Sequence, residues 1–188
     1  MLRSGLMLPE PTKIELSDLE SPLGDLVLAF SEGGLCALQF DESPAQVRAR
    51  LERSYPGAGF GKVSGTAEVV EKLRAYFSGA LQGLETIPVA PKGTPFQQRV
   101  WTALRAIPVG QTRSYLQIAK AIGSPSAVRA VGAANGQNPI AVVVPCHRVI
   151  ASNGTLCGYG GGLWRKEWLL EHERLDQAPP LSAAIAER

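Results

Sequence analysis

Apolar and polar positions recur with both strand and helix periods in the first half of this 188-residue chain and with a mostly helical period in the second. SPLGDLVLAF and GGLCALQF are short β-like runs separated by SEGG, a turn signal, and together they predict a hairpin. SPAQVRARLERSY follows with Ser43 as N-cap, Pro44 at N1 and Gln46 at N3, the arrangement of a capping box. AEVVEKLRAYFSGA places Val69, Val70, Leu73, Tyr76 and Phe77 at helical spacing and predicts a second helix. LETIPVAPKG, with its prolines and glycine, reads as a strand running into an interdomain linker.

Helical periods dominate afterwards. TPFQQRVWTALRAI opens with Thr94, Pro95 and Gln97 and turns Phe96, Val100, Trp101 and Leu104 inward. SYLQIAKAIG opens with Ser114 and Gln117 and stops at Gly123. SPSAVRAVGAANGQN opens with Ser124 and Pro125, so a tight Gly123–Ser124 connection predicts a helix-turn-helix. An apolar VVVPCHRVI segment, a GYGGG loop and a final amphipathic helix, LWRKEWLLEHERL, complete the pattern. The residues beyond Asp176 read as a mobile tail.

Composition narrows this picture. Apolar residues make up 45% and charged residues 19%, and no window approaches 18 consecutive apolar residues, so no membrane span is expected. MLRSGLMLPEPTK lacks the long apolar core and cleavage site of a signal peptide, which points to the cytoplasm. Three cysteines (Cys36, Cys146, Cys157) and two histidines give no recognisable zinc spacing, and a structural disulfide is not expected. The overall charge of +2 hides a split: residues 1–91 carry −4, residues 92–174 carry +7. Such a basic block suits a polyanion, although a solvated face paired with the acidic half gives the same count.

Two stretches carry chemistry. In the second helix of the predicted helix-turn-helix, Ala127, Ala130, Val131, Gly132, Ala133 and Ala134 make the surface small and Arg129 is the one long cation. Either this is a tightly packed core helix, or it lies in a DNA groove with Arg129 reaching into the stack. It offers few side chains for reading bases, which argues against a sequence-specific regulator. In VVVPCHRVI, Cys146 adjoins His147, but neighbours on an extended strand face opposite ways. To be chemical partners they need a sharp turn or a bridging water. A thiol near pKa ~8.5 needs a base to attack carbon, and Glu173, beside His172, could orient His147 in a Cys–water–His–Glu relay. Alternatively the segment is a buried strand whose thiol is structural.

PCHRV, with Asn138 of NPI upstream and GYGGGLWRKEWLLEHE downstream, in the context of TPFQQRVW, SYLQIA and RAVG, strongly resembles the O6-alkylguanine-DNA alkyltransferases. The resemblance implies an α/β N-terminal domain (a small antiparallel sheet plus helices, ribonuclease H-like), followed by a mostly helical domain with a winged-helix-like helix-turn-helix. The expected division is a flexible 1–13, an N-terminal domain over 14–91, an active-site domain over 92–175 and a tail over 176–188. It implies that Cys146 takes an alkyl group, chiefly methyl, from O6 of guanine (also O4 of thymine) irreversibly, with His147 and Glu173 as its water-mediated relay. Tyr115 donates a proton toward the leaving base, Asn138 braces the turn at Cys146, and the main-chain groups of Val149, with Tyr159 and Gly160, shape the base pocket together with Tyr115. Arg129 fills the space of the extruded nucleotide, and Ala127, Ala130 and Ser114 meet DNA. Trp101 is expected in the core. The implied partner is double-stranded DNA containing O6-alkylguanine, bound by a monomer with no cofactor, no metal and no membrane. No zinc ligands and no extra cysteine-rich domain of relatives are matched, which fits a stand-alone protein of bacterial or archaeal type. Gly160 stands where some relatives carry serine. A non-catalytic binder of alkylated DNA and a cysteine hydrolase are the rival readings.

Overall fold

In the computed structural model the described residues are 13–40 and 42–174; the segments read as a flexible N-terminus and a mobile tail lie outside them, apart from Lys13. The predicted hairpin is β2 (Leu26–Ser31) and β3 (Gly34–Phe40), with β1 (Lys13–Leu19) on its other side. Alternation along β2 sends Leu26, Leu28 and Phe30 to one face and Val27 and Ala29 to the other, and both faces are covered. The register slips between Ala29 and Phe30, so Cys36 and Ala37 both face the smaller core. That core lies under α1 (Pro44–Ser54), which begins with the expected capping box of Ser43 and Gln46. Cys36 is buried there, as expected of a core thiol.

The sheet differs from the expected antiparallel one. A two-residue strand, β4 (Gly59–Phe60), runs parallel to β1 and makes the sheet mixed, in the order β3-β2-β1-β4. The outer edge of β3 is covered by two segments from later in the chain. Leu35 donates to Pro88 and accepts from Ala90, while Leu38 donates to Pro139 and accepts from Ala141. Paired this way, the edge offers no template for another chain. The LETIPVAPKG stretch is therefore not a free strand and linker. It makes a 3-10 turn, Leu84–Thr86, and then a single bridge of Val89 to Leu35.

Helices α2 (Thr66–Phe77), α3 (Pro95–Arg105) and α4 (Tyr115–Ala121) occupy the expected stretches. Thr94 with Gln97 and Ser114 with Gln117 form capping boxes on the last two. Trp101 is buried as expected and its indole N–H donates to Ala134. Phe96 is only half-buried. The next helix, α5 (Val128–Gly136), starts later than Ser124–Pro125 predicted. Gly123, at φ +69°, donates to Lys120 while Ser124 donates to Ala119, which ends α4 in a Schellman motif. Ser124 thus closes α4 through its amide, and its carbonyl accepts from Ala127 in a turn that precedes the next helix. Ala127 takes the N-cap position of α5 without a side-chain bond.

The final helix, α6 (Leu163–Arg174), is not amphipathic in the simple sense: Arg165, Lys166 and Glu173 are buried beside Leu169 and Leu170. Three of the ten cations in the basic block, Arg148, Arg165 and Lys166, are interior, so the surface charge is smaller than the sequence count suggests. Beside its helices, the second half holds a two-residue parallel pair of β5 (Arg113–Ser114) with β6 (Val149–Ile150). One core runs from β2 and α2 through α3 to Val149 and Leu169, joining both halves. Among the described residues no helix is long and apolar enough to cross a membrane.

Gly34 and Gly123 test how tightly the edge segment is held. Both have positive φ, but a Cβ on Gly34 would lie 2.3 Å from the Pro88 carbonyl oxygen, whereas one on Gly123 meets nothing within 4 Å. Gly123→Ala should cost about 1 kcal/mol for the left-handed backbone alone. Gly34→Ala should cost more than about 2 kcal/mol, because the covering segment must also move. Urea denaturation of both variants compares the two losses.

Candidate active site

The loop that carries the thiol hangs from the N-terminal sheet. Besides the Leu38 pairing, Gln39 donates from Nε2 to the Pro139 carbonyl at 2.8 Å. Asn138 then organises the stretch leading to the thiol: its Nδ2 donates to Val144 (2.7 Å) and Ile140 (3.3 Å) carbonyls, and its Oδ1 accepts from the Ile140 amide (3.0 Å). The valines are buried, yet they form tight turns and not the strand their apolar run suggested. Val142 has φ 68°, an unfavourable setting for a β-branched residue, held by these surrounding bonds. Pro145 leads into a 3-10 turn, Cys146–Arg148, which brings Cys146 and His147 round a corner. That turn removes the geometric objection to their partnership.

Cys146 is 7% exposed and sits on a cleft of about 130 Å³, whose walls include Phe40, Asn138, Tyr159 and Gly160. Asn138 Nδ2 also donates to its sulfur at 3.2 Å. Burial pushes the Cys146 thiol up; Asn138, the Lys166 charge and nearby amides offset this only in part. At rest the thiol is neutral. Lys166, fully buried, is anchored by the carbonyls of Val149 (2.6 Å) and Cys157 (2.8 Å).

His147 is fully buried, and its Nε2 lies 2.9 Å from Glu173 Oε1. Glu173 also receives Arg148 at both oxygens (2.8 and 2.7 Å), the Tyr76 hydroxyl at Oε1 (2.8 Å) and the Gly110 amide at Oε2 (3.5 Å). Burial alone would raise the Glu173 carboxyl, but the hydrogen bond and charge of His147, then those of Arg148, hold it well below the usual carboxylate range. Burial lowers His147, and Glu173 restores only part of that loss, so the imidazole is neutral near pH 7. A carboxylate can only accept, so Nε2 carries the imidazole proton and Nδ1 presents a lone pair. That Nδ1 is buried with no hydrogen-bond partner among the described residues, which makes it a base without a proton.

The remaining expected residues are spread around this centre. Tyr115 is half-buried at the start of α4, where Cys157 Sγ–H donates to its hydroxyl at 3.7 Å. Burial, then Cys157, pushes its phenol above the usual value. Tyr159 walls the cleft with a buried hydroxyl that has no partner among the described residues, and a Cβ at Gly160 would meet nothing within 4 Å. Val149 is wholly buried and does not line this cleft; its carbonyl holds Lys166. On α5, Arg129, Ala130 and Ala133 face outward while Val131 and Ala134 face the core, and Ala127 is half-exposed. Arg129 makes no hydrogen bond or ion pair among the described residues. Ser114 spends its hydroxyl on the Gln117 amide as the cap of α4.

Sequence reasoning missed Arg148, Lys166 and Tyr76 as parts of the site, and Phe40 as a wall. Arg165, Lys166 and Glu173 share one face with Leu169 and Leu170, and charges at that spacing on an apolar face are a legible sign of buried pairing. Tyr76 had no such sign, since it reads as another core residue of α2. Among the described residues no three of His, Cys, Asp and Glu converge as a metal would require.

These ionisation states fix the pH dependence of stability. The native chain binds fewer protons than the unfolded one at His147, so stability should fall as pH drops below about 6.5. Glu173 adds a second loss below about 4.3, and the raised Cys146 thiol a loss above about 8.5. Urea denaturation across pH should therefore show a maximum between the histidine and cysteine limbs. Glu173→Gln should remove the lowest limb, spare the histidine limb and cost about 3–5 kcal/mol at neutral pH, because Arg148 loses its counter-charge.

The geometry has close counterparts. Residues 16–91 match the ribonuclease-like domain of 6-O-methylguanine DNA methyltransferase, and residues 95–175 match the DNA binding domain of the same proteins. The methylated-DNA–protein-cysteine methyltransferase of Shigella flexneri is 48% identical over 158 residues, covering 82% of this chain and 92% of its own length. The crystal structure of Mycobacterium tuberculosis O6-methylguanine methyltransferase superposes with a TM-score of 0.72 at 41% identity, over 91% of this chain and 98% of that one. The M. tuberculosis OGT structure in complex with DNA gives 0.72 at 43% identity, over 89% and 96%. With nearly half of the residues identical over most of its length, a ribonuclease-like sheet domain and a DNA binding domain in the same order, the chain belongs to the O6-methylguanine-DNA methyltransferase family.

Proposed function

We propose that Cys146 is the acceptor in direct-reversal repair of O6-alkylguanine, and that the protein acts as a monomer on duplex DNA carrying the lesion. The family's reaction, methyl transfer from O6-methylguanine in DNA to a protein cysteine, is the activity of this chain. The observation that supports Cys146 as the acceptor is its placement: a thiol on a cleft, beside an imidazole whose Nε2 is committed to a buried carboxylate. His147 Nδ1 takes the thiol proton, through a bridging water in this reading, and Glu173 stabilises the imidazolium so formed. The thiolate attacks the alkyl carbon in line; the S–C bond forms as the C–O6 bond breaks, and the electron pair passes to the guanine. Tyr115 delivers a proton toward the base, and the proton held by His147 restores the balance. A thioether has no simple hydrolytic exit, so each molecule acts once.

The lesion lies inside a duplex, so the nucleotide is rotated out, a step that is cheaper for a poorly paired alkylguanine. The outward face of α5 suits this role. Ala130 and Ala133 allow close approach to a groove at any sequence, and Arg129 enters the stack where the nucleotide has left. Residues 14–91 support the site and residues 92–175 engage DNA in this reading, which extends to O4-alkylthymine as well.

Incubation with O6-methylguanine duplex, followed by intact mass and peptide mapping, should give one methyl per molecule on Cys146, never more. Repeated turnover, as from a hydrolase, or methyl on Cys36 or Cys157 alone would overturn the assignment. Cys146→Ser should abolish transfer and still bind DNA, with an affinity that falls as salt rises. Arg129→Ala should slow repair of duplex more than reaction with free O6-alkylguanine base; equal slowing in stopped assays of both substrates removes the stack-filling role.

A further inference from the structure

All of the chemistry read from the sequence lies in the second half of the chain, yet the carboxylate of the relay is held partly from the first. Tyr76, on the last turn of α2, is wholly buried, and its hydroxyl donates to Glu173 Oε1 at 2.8 Å, the same oxygen that binds His147. It is fixed from both sides. His172 donates from Nε2 to the Tyr76 carbonyl at 2.7 Å, and its ring meets the Tyr76 ring edge-on. Trp168 stacks on His172 at 4.6 Å and meets Phe77 of α2, so the end of α2 and the end of α6 form one aromatic cluster. A core that needed only an apolar ring here would use phenylalanine, since a buried hydroxyl is costly unless bonded.

We infer that Tyr76 is a positioning residue of the relay: its hydroxyl sets the orientation of Glu173 and the share of negative charge that His147 receives. This rests on the methyl-transfer reading above. The groups facing Glu173 are Tyr76 from α2, His147 and Arg148 from the 3-10 turn, the Gly110 amide and, by charge, Tyr159; Lys166 adds its charge at His147. Arg148 neutralises the carboxylate and places one arm on Oε1, and Tyr76 is the uncharged donor that shares that oxygen with His147. Burial and the Glu173 charge push the Tyr76 phenol well above its usual range, so it stays a donor throughout the working pH range. Removing this donor leaves more charge for His147 and raises the basicity of the imidazole. The N-terminal domain is thereby part of the catalytic apparatus and not only a scaffold.

The test is the pH–rate profile of single-turnover methyl transfer by the full chain. Tyr76→Phe should slow transfer at neutral pH roughly tenfold and move the acid limb to higher pH. A ring-fluorinated tyrosine at position 76, which keeps the shape and donates more strongly, should move that limb to lower pH. This second substitution preserves the packing should the phenylalanine variant fold poorly. Tyr76→Phe should add no further slowing in a Glu173→Gln background, because its effect passes through that carboxylate. An acid limb unmoved by either substitution, or undiminished slowing in the Glu173→Gln background, overturns the inference and leaves Tyr76 as packing. Failure of the unmodified protein to methylate Cys146 would instead remove the reading on which the inference rests.

Discussion

A single buried negative charge organises this molecule. Glu173 lies within the protein, where an unpaired carboxylate would cost several kcal/mol, and three side chains from two elements converge to satisfy it: the Arg148 guanidinium and His147 imidazole from one turn, and the Tyr76 hydroxyl from α2. Each such bond to a charged group contributes about 1.5–3 kcal/mol, so the carboxylate acts as a point of attachment as well as a chemical group. Because Arg148 supplies the compensating charge, the imidazole can stay neutral. A neutral His147 with Nε2 committed to Glu173 has only one free lone pair, on Nδ1, and that is the condition for it to serve as a base.

The same burial explains why the thiol waits. A permanently ionised Cys146 on an open surface would react with any electrophile. Here the thiol is neutral because it is buried, with Asn138 and Lys166 positioned to stabilise the anion once it forms. The low-dielectric setting strengthens those interactions when the proton leaves.

The two halves of the chain are joined where this chemistry needs rigidity. The edge of β3 carries the Pro139–Ala141 segment, Gln39 holds the Pro139 carbonyl, and Phe40 walls the cleft. Arg165 donates to Leu23 and to Gly161, and its guanidinium lies over the rings of Phe40 and Trp164, which ties the glycine loop to the same sheet. The strained Val142 and the turn at Cys146 persist because they are fastened to a sheet that is itself packed on both faces. The ribonuclease-like domain supplies stiffness to a site whose reacting atoms it does not own.

The sequence alone determined the features that depend on near neighbours. Capping boxes at Ser43, Thr94 and Ser114 placed three helix starts, because the cap and its partner are three residues apart. The PCHRV signature located the thiol and its neighbour, and a lone Arg129 among small residues singled out a helix whose exposed face only the fold decided. At Ser124–Pro125 the local start signal was followed by a turn, and the helix itself began only after Ala127. What only the tertiary structure decided are contacts between residues far apart in the chain. Gln39 meets Pro139 across 100 positions, Tyr76 meets Glu173 across 97, and the charges of Arg148, Arg165 and Lys166 turn inward and not toward DNA. A buried hydroxyl or cation looks the same in sequence as an exposed one; its role is set by the partner that satisfies it, and that partner is chosen by packing.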